Sequence, residues 1–280
     1  MKVSVIGLGY IGLPTAAILA KNNIEVIGVD VNQSAVDTIN DGKIHFVEPE
    51  LDTLVQSAIK KGYLHAVTQP KKADVFIIAV PTPFKGEYKP DLSYIEAATK
   101  NIARVLEKGN IVILESTSPV GTTEKILEWM KEIRPDLNFP KFRDHESSAD
   151  IAVAHCPERV LPGKVIKEIV KNDRIIGGVT QKCAKLATEI YKIFVEGNCL
   201  ETDCRTAELS KLVENSFRDV NIAFANELSL ICDKLNINVW ELVKIANLHP
   251  RVNILQPGPG VGGHCIAIDP WFIVNKNSAD

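Results

Sequence analysis

Residues 7–12 constrain this chain more than any other stretch. Gly7-Leu8-Gly9-Tyr10-Ile11-Gly12 follows the apolar run Val3 to Ile6 and opens a helical pattern. In that setting Gly7 permits the tight turn out of the strand, Gly9 lets the backbone approach a pyrophosphate, and Gly12 lets helix and strand pack closely. The pyrophosphate sits against the helix N-terminus, because free N–H groups and the macrodipole there favour negative charge. The next strand ends at Asp30, where a carboxylate can accept hydrogen bonds from an adenosine ribose and repel a 2′-phosphate. The expected cofactor is therefore NAD rather than NADP. FAD uses the same fingerprint and is the nearer competitor; a glycine turn in an unrelated α/β fold is the bland alternative.

The fingerprint opens a longer alternation. Val3 to Ile6, Glu25 to Val29, Val75 to Val80 and Ile111 to Glu115 are short Val/Ile-rich runs between helical stretches. That pattern predicts a Rossmann-like, doubly wound parallel sheet covered by helices on both faces. Two further strands are expected at Ile151 to Val153 and Arg174 to Gly177, then a helix over 181–195, with the sheet ending near residue 200. Asp203 to Leu235 contains no Pro or Gly and keeps apolar residues at helical spacing, which predicts a long connecting helix. A short helix over Val239 to Ala246 and a Pro/Gly-rich loop over His249 to Asp269 follow. The expected domains are residues 1–202, binding the dinucleotide, and residues 203–280, holding the connecting helix and a central helical domain.

A formal net charge of −3 without a basic stripe argues against a nucleic-acid partner. No apolar run reaches membrane-spanning length, and the opening segment places its glycines as a strand-turn-helix rather than as a signal peptide. A cytoplasmic enzyme is the expectation. The six cysteines are scattered, with no CxxC pair and no metal-ligand spacing, which favours reduced thiols and no metal site.

Three further segments carry a resemblance. Val80-Pro81-Thr82-Pro83, Glu115-Ser116-Thr117-Ser118-Pro119-Val120-Gly121-Thr122-Thr123 and Gly262-Gly263-His264-Cys265 closely resemble, in order and separation, the UDP-glucose/GDP-mannose dehydrogenase family. The segments around Cys156-Pro157-Glu158-Arg159 and Asn253 to Cys265 resemble the members acting on UDP-N-acetyl-D-mannosamine. The resemblance implies oxidation of a UDP-sugar C6 alcohol to a carboxylate with two NAD and one water, through an aldehyde, a thiohemiacetal and a thioester, for surface polysaccharide synthesis. It also implies a homodimer or higher homo-oligomer. Family members continue into a second Rossmann-like domain that binds much of the UDP, and Asp280 falls about where that domain should begin. The expectation is accordingly a fragment that binds NAD and turns over little or no substrate.

Residue chemistry and resemblance together give the candidate site. Cys265 follows two glycines and precedes Asp269, a setting in which a thiolate can be exposed and can form the covalent adduct that a second oxidation requires. Lys211 and Asn215 stand one turn apart on one helix face and can stabilise an oxyanion, although a solvated polar face is the usual fate of such a pair. By resemblance, Glu158 is the base in thioester hydrolysis, and Thr117 and Asp269 help hold the water; the first proton has an alternative exit through Lys211 and Asp269. UDP-glucose members carry a second glutamate where this chain has Pro162, which argues for a sugar other than glucose. Leu161 and Lys164 are candidate sugar contacts, and Arg251 with Asn253 match a loop that enters a neighbouring subunit's site. Cofactor contacts carry over to Gly7, Gly9, Tyr10, Ile11, Gly12, Asp30, Thr82 and Thr117. The rival readings are UDP-glucose or UDP-N-acetylglucosamine as substrate, a cysteine-independent 3-hydroxyacid dehydrogenase, and an NAD-binding module without turnover.

Overall fold

The computed structural model describes residues 1–86, 88–144, 148–263 and 266–277. In chain order these form β1 (Lys2–Ile6), α1 (Gly12–Lys21), β2 (Glu25–Val29), α2 (Gln33–Asn40), α3 (Leu51–Lys60), β3 (Leu64–Val67), β4 (Val75–Ile78) and the short strands β5 (Phe84–Lys85) and β6 (Lys89–Pro90). Then come α4 (Ser93–Ala103), β7 (Ile111–Leu114), α5 (Thr122–Ile133), β8 (Ala152–His155), α6 (Val165–Lys171), β9 (Arg174–Gly178), α7 (Gln181–Tyr191) and β10 (Cys199–Asp203). The chain continues through α8 (Cys204–Lys234), α9 (Val239–Ala246) and α10 (Asp269–Asn277). Strands β3, β5, β6 and β10 and helices α6 and α10 lie outside the elements expected from sequence.

Eight strands make one sheet in the order β10-β9-β8-β7-β4-β1-β2-β3. Every residue of β4 and β7 is buried, as continuous apolar runs must be when a sheet is covered on both faces. The sheet is the expected parallel one except toward one edge, where β9 pairs antiparallel with β8 through Ala154 and His155, and β10 then runs parallel to β9. The segment between β8 and β9 holds one seven-residue helix and returns the chain beside β8 in the opposite sense, rather than completing a βαβ crossover.

Register decides where the loops emerge. Ile6 is level with Val29 and Ile78, Ile78 with Leu114, and Leu114 with His155. Gly7, Asp30, Glu115 and Cys156 therefore all leave the sheet at the same carboxyl edge, where open α/β sheets bind ligands.

The chain divides into two compact units, the first built from Met1–Pro83 and Pro90–Leu209, the second from the described residues of 84–89 and 210–280. In the second, Tyr88 stacks on Trp271 with ring centroids 4.3 Å apart, and Asn275 donates to the Tyr88 carbonyl at 2.7 Å. Asn226 on α8 accepts from the Gly258 amide at 2.8 Å, and Asn247 bonds both ways to the Ile254 backbone, pinning the Pro/Gly-rich loop at two points.

Candidate active site

The fingerprint turn is built as its glycines require. Gly7 has φ +91°, and a Cβ there would lie 2.6 Å from the Ala79 carbonyl oxygen; a Cβ on Gly12 would lie 1.8 Å from that of Gly7. A Cβ on Gly9 would meet no atom within 4 Å, so the middle glycine borders open space. Helix α1 begins without a side-chain cap and without an acidic residue in its first turn, which leaves its positive end available to an anion. The Asp30 carboxylate accepts from the amides of Leu8 and Asn32, each at 2.9 Å, and so ties the end of β2 to the fingerprint turn. The Thr82 hydroxyl donates to the Thr117 carbonyl at 2.5 Å, joining two of the candidate cofactor contacts. This cradle fits a dinucleotide diphosphate with an unphosphorylated ribose.

Behind it lies a buried cluster that sequence reasoning foresaw only in part. Glu158 is paired with the buried guanidinium of Arg174 and also accepts from the Arg159 amide at 2.8 Å. Arg174 donates to the Ile169 carbonyl as well and lies over the Tyr191 ring. Tyr191 in turn donates to Glu115 at 2.8 Å. Burial and the nearby Glu158 carboxylate push the Glu115 carboxyl up to about 7, against the opposing pull of Arg174. Nothing in the sequence marked Arg174 beyond a charge opening an apolar strand.

Two other buried glutamates hold loops in place. Glu208 on α8 accepts from the Gly121 amide at 2.6 Å and from the Thr123 amide and hydroxyl at 2.7 and 2.6 Å. It thereby caps α5, whose own N-cap residue is a glycine with no side chain to offer. Glu48 accepts from Tyr10, Gly163 and Val165. Leu161 and Lys164 are exposed on the loop between Glu158 and α6.

Within the second unit three predicted residues converge. Asn215 donates to Asp269 at 2.6 Å, and both are buried. Burial raises the Asp269 carboxyl above its ordinary range, opposed by Asn215 and by the charge of Lys211. Arg251 and Asn253 are exposed. Cys265 lies outside the described residues. Of the other five cysteines, Cys156, Cys183, Cys204 and Cys232 are buried, and burial pushes the Cys156 thiol up to about 12, far from the thiolate character a nucleophile needs. Among the described residues no cluster of His, Cys, Asp and Glu is arranged to hold a metal, and no helix is long and apolar enough to cross a membrane.

Comparison with known proteins matches residues 1–195 to the "UDP-glucose/GDP-mannose dehydrogenase family, NAD binding domain" and residues 205–280 to the central domain of that family. A UDP-N-acetyl-D-mannosamine dehydrogenase of Campylobacter jejuni is 68% identical over 99% of this chain, which spans 68% of that relative. An NDP-N-acetyl-D-galactosaminuronic acid dehydrogenase of Ralstonia nicotianae is 66% identical over 98% of this chain, which spans 64% of that protein. The solved UDP-D-ManNAc dehydrogenase of Pyrococcus horikoshii superposes with a TM-score of 0.92 at 44% identity, covering 100% of this chain and 65% of that one. The chain thus spans about two thirds of the length of these relatives.

Proposed function

The chain belongs to the UDP-glucose/GDP-mannose dehydrogenase family, and on that premise we propose that it serves the NAD-dependent four-electron oxidation of the C6 alcohol of UDP-N-acetyl-D-mannosamine to the uronate. The observation that carries this reading is the buried Asn215–Asp269 hydrogen bond, with Lys211 one turn earlier on the same helix. An ammonium, an amide and a carboxylate grouped in this way can hold a sugar hydroxyl, stabilise the oxyanion that forms from it and accept its proton. Bound NAD supplies the hydride acceptor for both oxidations.

The protein's own groups do the rest. The Cys265 thiolate adds to the C6 aldehyde, and Lys211 and Asn215 donate to the resulting oxyanion. Loss of hydride from that adduct leaves a thioester. Water then attacks the carbonyl carbon while Glu158 takes one proton; the C–S bond breaks to regenerate thiolate, and the carboxylic acid so formed loses its remaining proton to solvent. Arg174 pairs with the Glu158 carboxylate and holds it in place. Residues 1–202 form the dinucleotide-binding domain in this reading, and residues 203–280 the helical domain.

Two relatives of nearly equal identity carry names for different N-acetylhexosamines, so the sugar is the point to test. NADH formation measured on protein spanning the relatives' full length, across UDP-N-acetyl-D-mannosamine, UDP-N-acetyl-D-galactosamine, UDP-N-acetyl-D-glucosamine and UDP-glucose, should favour the first; strong preference for UDP-glucose rejects the proposal. The cofactor cradle has its own test. Because a Cβ at Gly9 meets open space, Gly9→Ala should leave Tm unchanged yet weaken NAD binding by roughly tenfold, about 1.4 kcal/mol. A lowered Tm with unchanged NAD affinity contradicts that placement of the pyrophosphate.

The expected homodimer finds support on α8. Val213, Phe217, Val220, Phe224 and Ile231 recur at helical spacing and are 44–67% exposed, a stripe that a second copy of the helix would cover. Phe217→Asp should shift the sedimentation profile toward monomer; a wild-type monomer at micromolar concentration rejects the dimer.

A further inference from the structure

Glu48 joins two loops that the chemistry uses separately. Its Oε2 accepts from the Tyr10 hydroxyl at 2.5 Å and from the Gly163 amide at 2.9 Å, and its Oε1 accepts from the Val165 amide at 2.9 Å. Tyr10 stands in the fingerprint turn, with its ring 5.2 Å from that of Phe46. Gly163 and Val165 end the loop that begins at Glu158 and carries Leu161 and Lys164. Gly163 has φ +81°, and Lys164 offers α6 no side-chain cap; the last turn of this loop is anchored by Glu48 and, at the Leu161 amide, by Glu168, which accepts at 2.8 Å. The carboxylate is 4% exposed. Burial opposes its charge, and donation from Tyr10 and the two amides outweighs burial, holding it below the usual carboxylate range.

We propose that Glu48 is a positioning residue that couples the fingerprint turn to the 158–164 loop, so that cofactor binding beside Tyr10 orders the loop that meets the sugar nucleotide. The inference rests on the reading above in which Tyr10 borders NAD and Leu161 and Lys164 border the sugar. The physical basis is a contiguous hydrogen-bonded chain in a buried setting. One carboxylate takes all three donors, and the Gly163 amide also reaches the Tyr10 hydroxyl oxygen at 3.3 Å, so restricting that hydroxyl restricts Gly163 directly and, through the carboxylate, both amides. By reciprocity, ordering the loop tightens the cofactor by the same factor.

Amide hydrogen exchange at Gly163 and Val165 reads this coupling without requiring turnover. Saturating NAD should slow both amides by at least about fivefold in the wild-type chain. Tyr10→Phe keeps the ring and removes only the hydroxyl; with NAD raised until calorimetry shows the variant saturated, it should lose most of that slowing. Glu48→Gln, which leaves one acceptor oxygen for three donors, should speed exchange at one or both amides without NAD, whereas Tyr10→Phe should leave the Val165 baseline unchanged. Equal slowing in Tyr10→Phe and wild type overturns the coupling, as does wild-type NAD binding with unchanged rates at both amides. If calorimetry finds no NAD binding, the cofactor reading itself fails and this inference falls with it.

Discussion

Cys265→Ser is expected to lower the overall rate of carboxylate formation by on the order of a thousandfold or more while leaving NAD affinity unchanged. Balance shows why the thiol matters. Converting a C6 alcohol to a carboxylate removes four electrons and adds one water. The first hydride leaves from the alcohol and needs only oxyanion stabilisation, whereas the second must leave from a tetrahedral carbon bearing an adduct. Thiolate addition to the aldehyde provides that carbon, and hydrolysis of the thioester returns the thiolate. A serine hydroxyl is not ionised near neutrality and forms a poorer leaving group. In protein spanning the full length of the relatives, two NADH per sugar are expected from the wild type and at most one, slowly, from the variant under identical conditions. A serine variant that still releases two NADH per sugar at the wild-type rate would remove the cysteine from the mechanism and favour a cysteine-independent dehydrogenase.

Arg174→Met should cost about 3–5 kcal/mol of stability, a fall in Tm on the order of 10 °C, because it removes the cation from a buried ion pair and leaves Glu158 uncompensated beside Glu115. Its pH dependence follows from the acids left behind. The Glu115 carboxyl is already raised from 4.5 to about 7 in the folded wild type. Below pH 4.5 both folded and unfolded chains hold this proton. Between 4.5 and 7 only the folded chain holds it, so stability from this group falls as pH rises, by up to about 1.4 kcal/mol per pH unit. Removing Arg174 takes away a lowering influence, which extends that decline above pH 7. The Tm difference between wild type and variant should therefore widen from pH 6 to pH 8 and narrow on acidification, as measured by calorimetry across that range. A pH-independent difference would mean that lost packing of the long side chain, rather than lost charge compensation, dominates.

Much of the fold was legible in local spacing. Continuous Val/Ile runs between amphipathic stretches announced β1, β2, β4 and β7, and thirty-odd residues without Pro or Gly announced a helix that spans Cys204–Lys234. Each signal depends on neighbours within a few residues, where backbone sterics and side-chain period act. The shortest strands were harder: β3 alternates buried and exposed residues over four positions, and β10 has no fully buried residue, so neither stands out as an apolar run. The reversal at β9 was invisible for another reason. Strand direction is set by how a connection returns across the sheet, and the residues of β9 are equally compatible with either sense.

The site divides along the same line. Gly7, Gly9, Gly12 and Asp30 became candidates because one local motif, from the turn to the end of the next strand, carries them, and Lys211 and Asn215 because the family resemblance falls on one face of a helix. Sequence by itself supplied the candidate reacting groups and their order along the chain. Only tertiary structure decided which buried charges answer one another: Glu158 with Arg174, Glu208 with Thr123 from 85 residues away, Glu48 with Val165 from 117 residues away. A charged side chain carries no local mark of the partner that will compensate it. That partner is chosen by desolvation, which exists only once the sheet has brought distant loops to one edge and excluded water from between them.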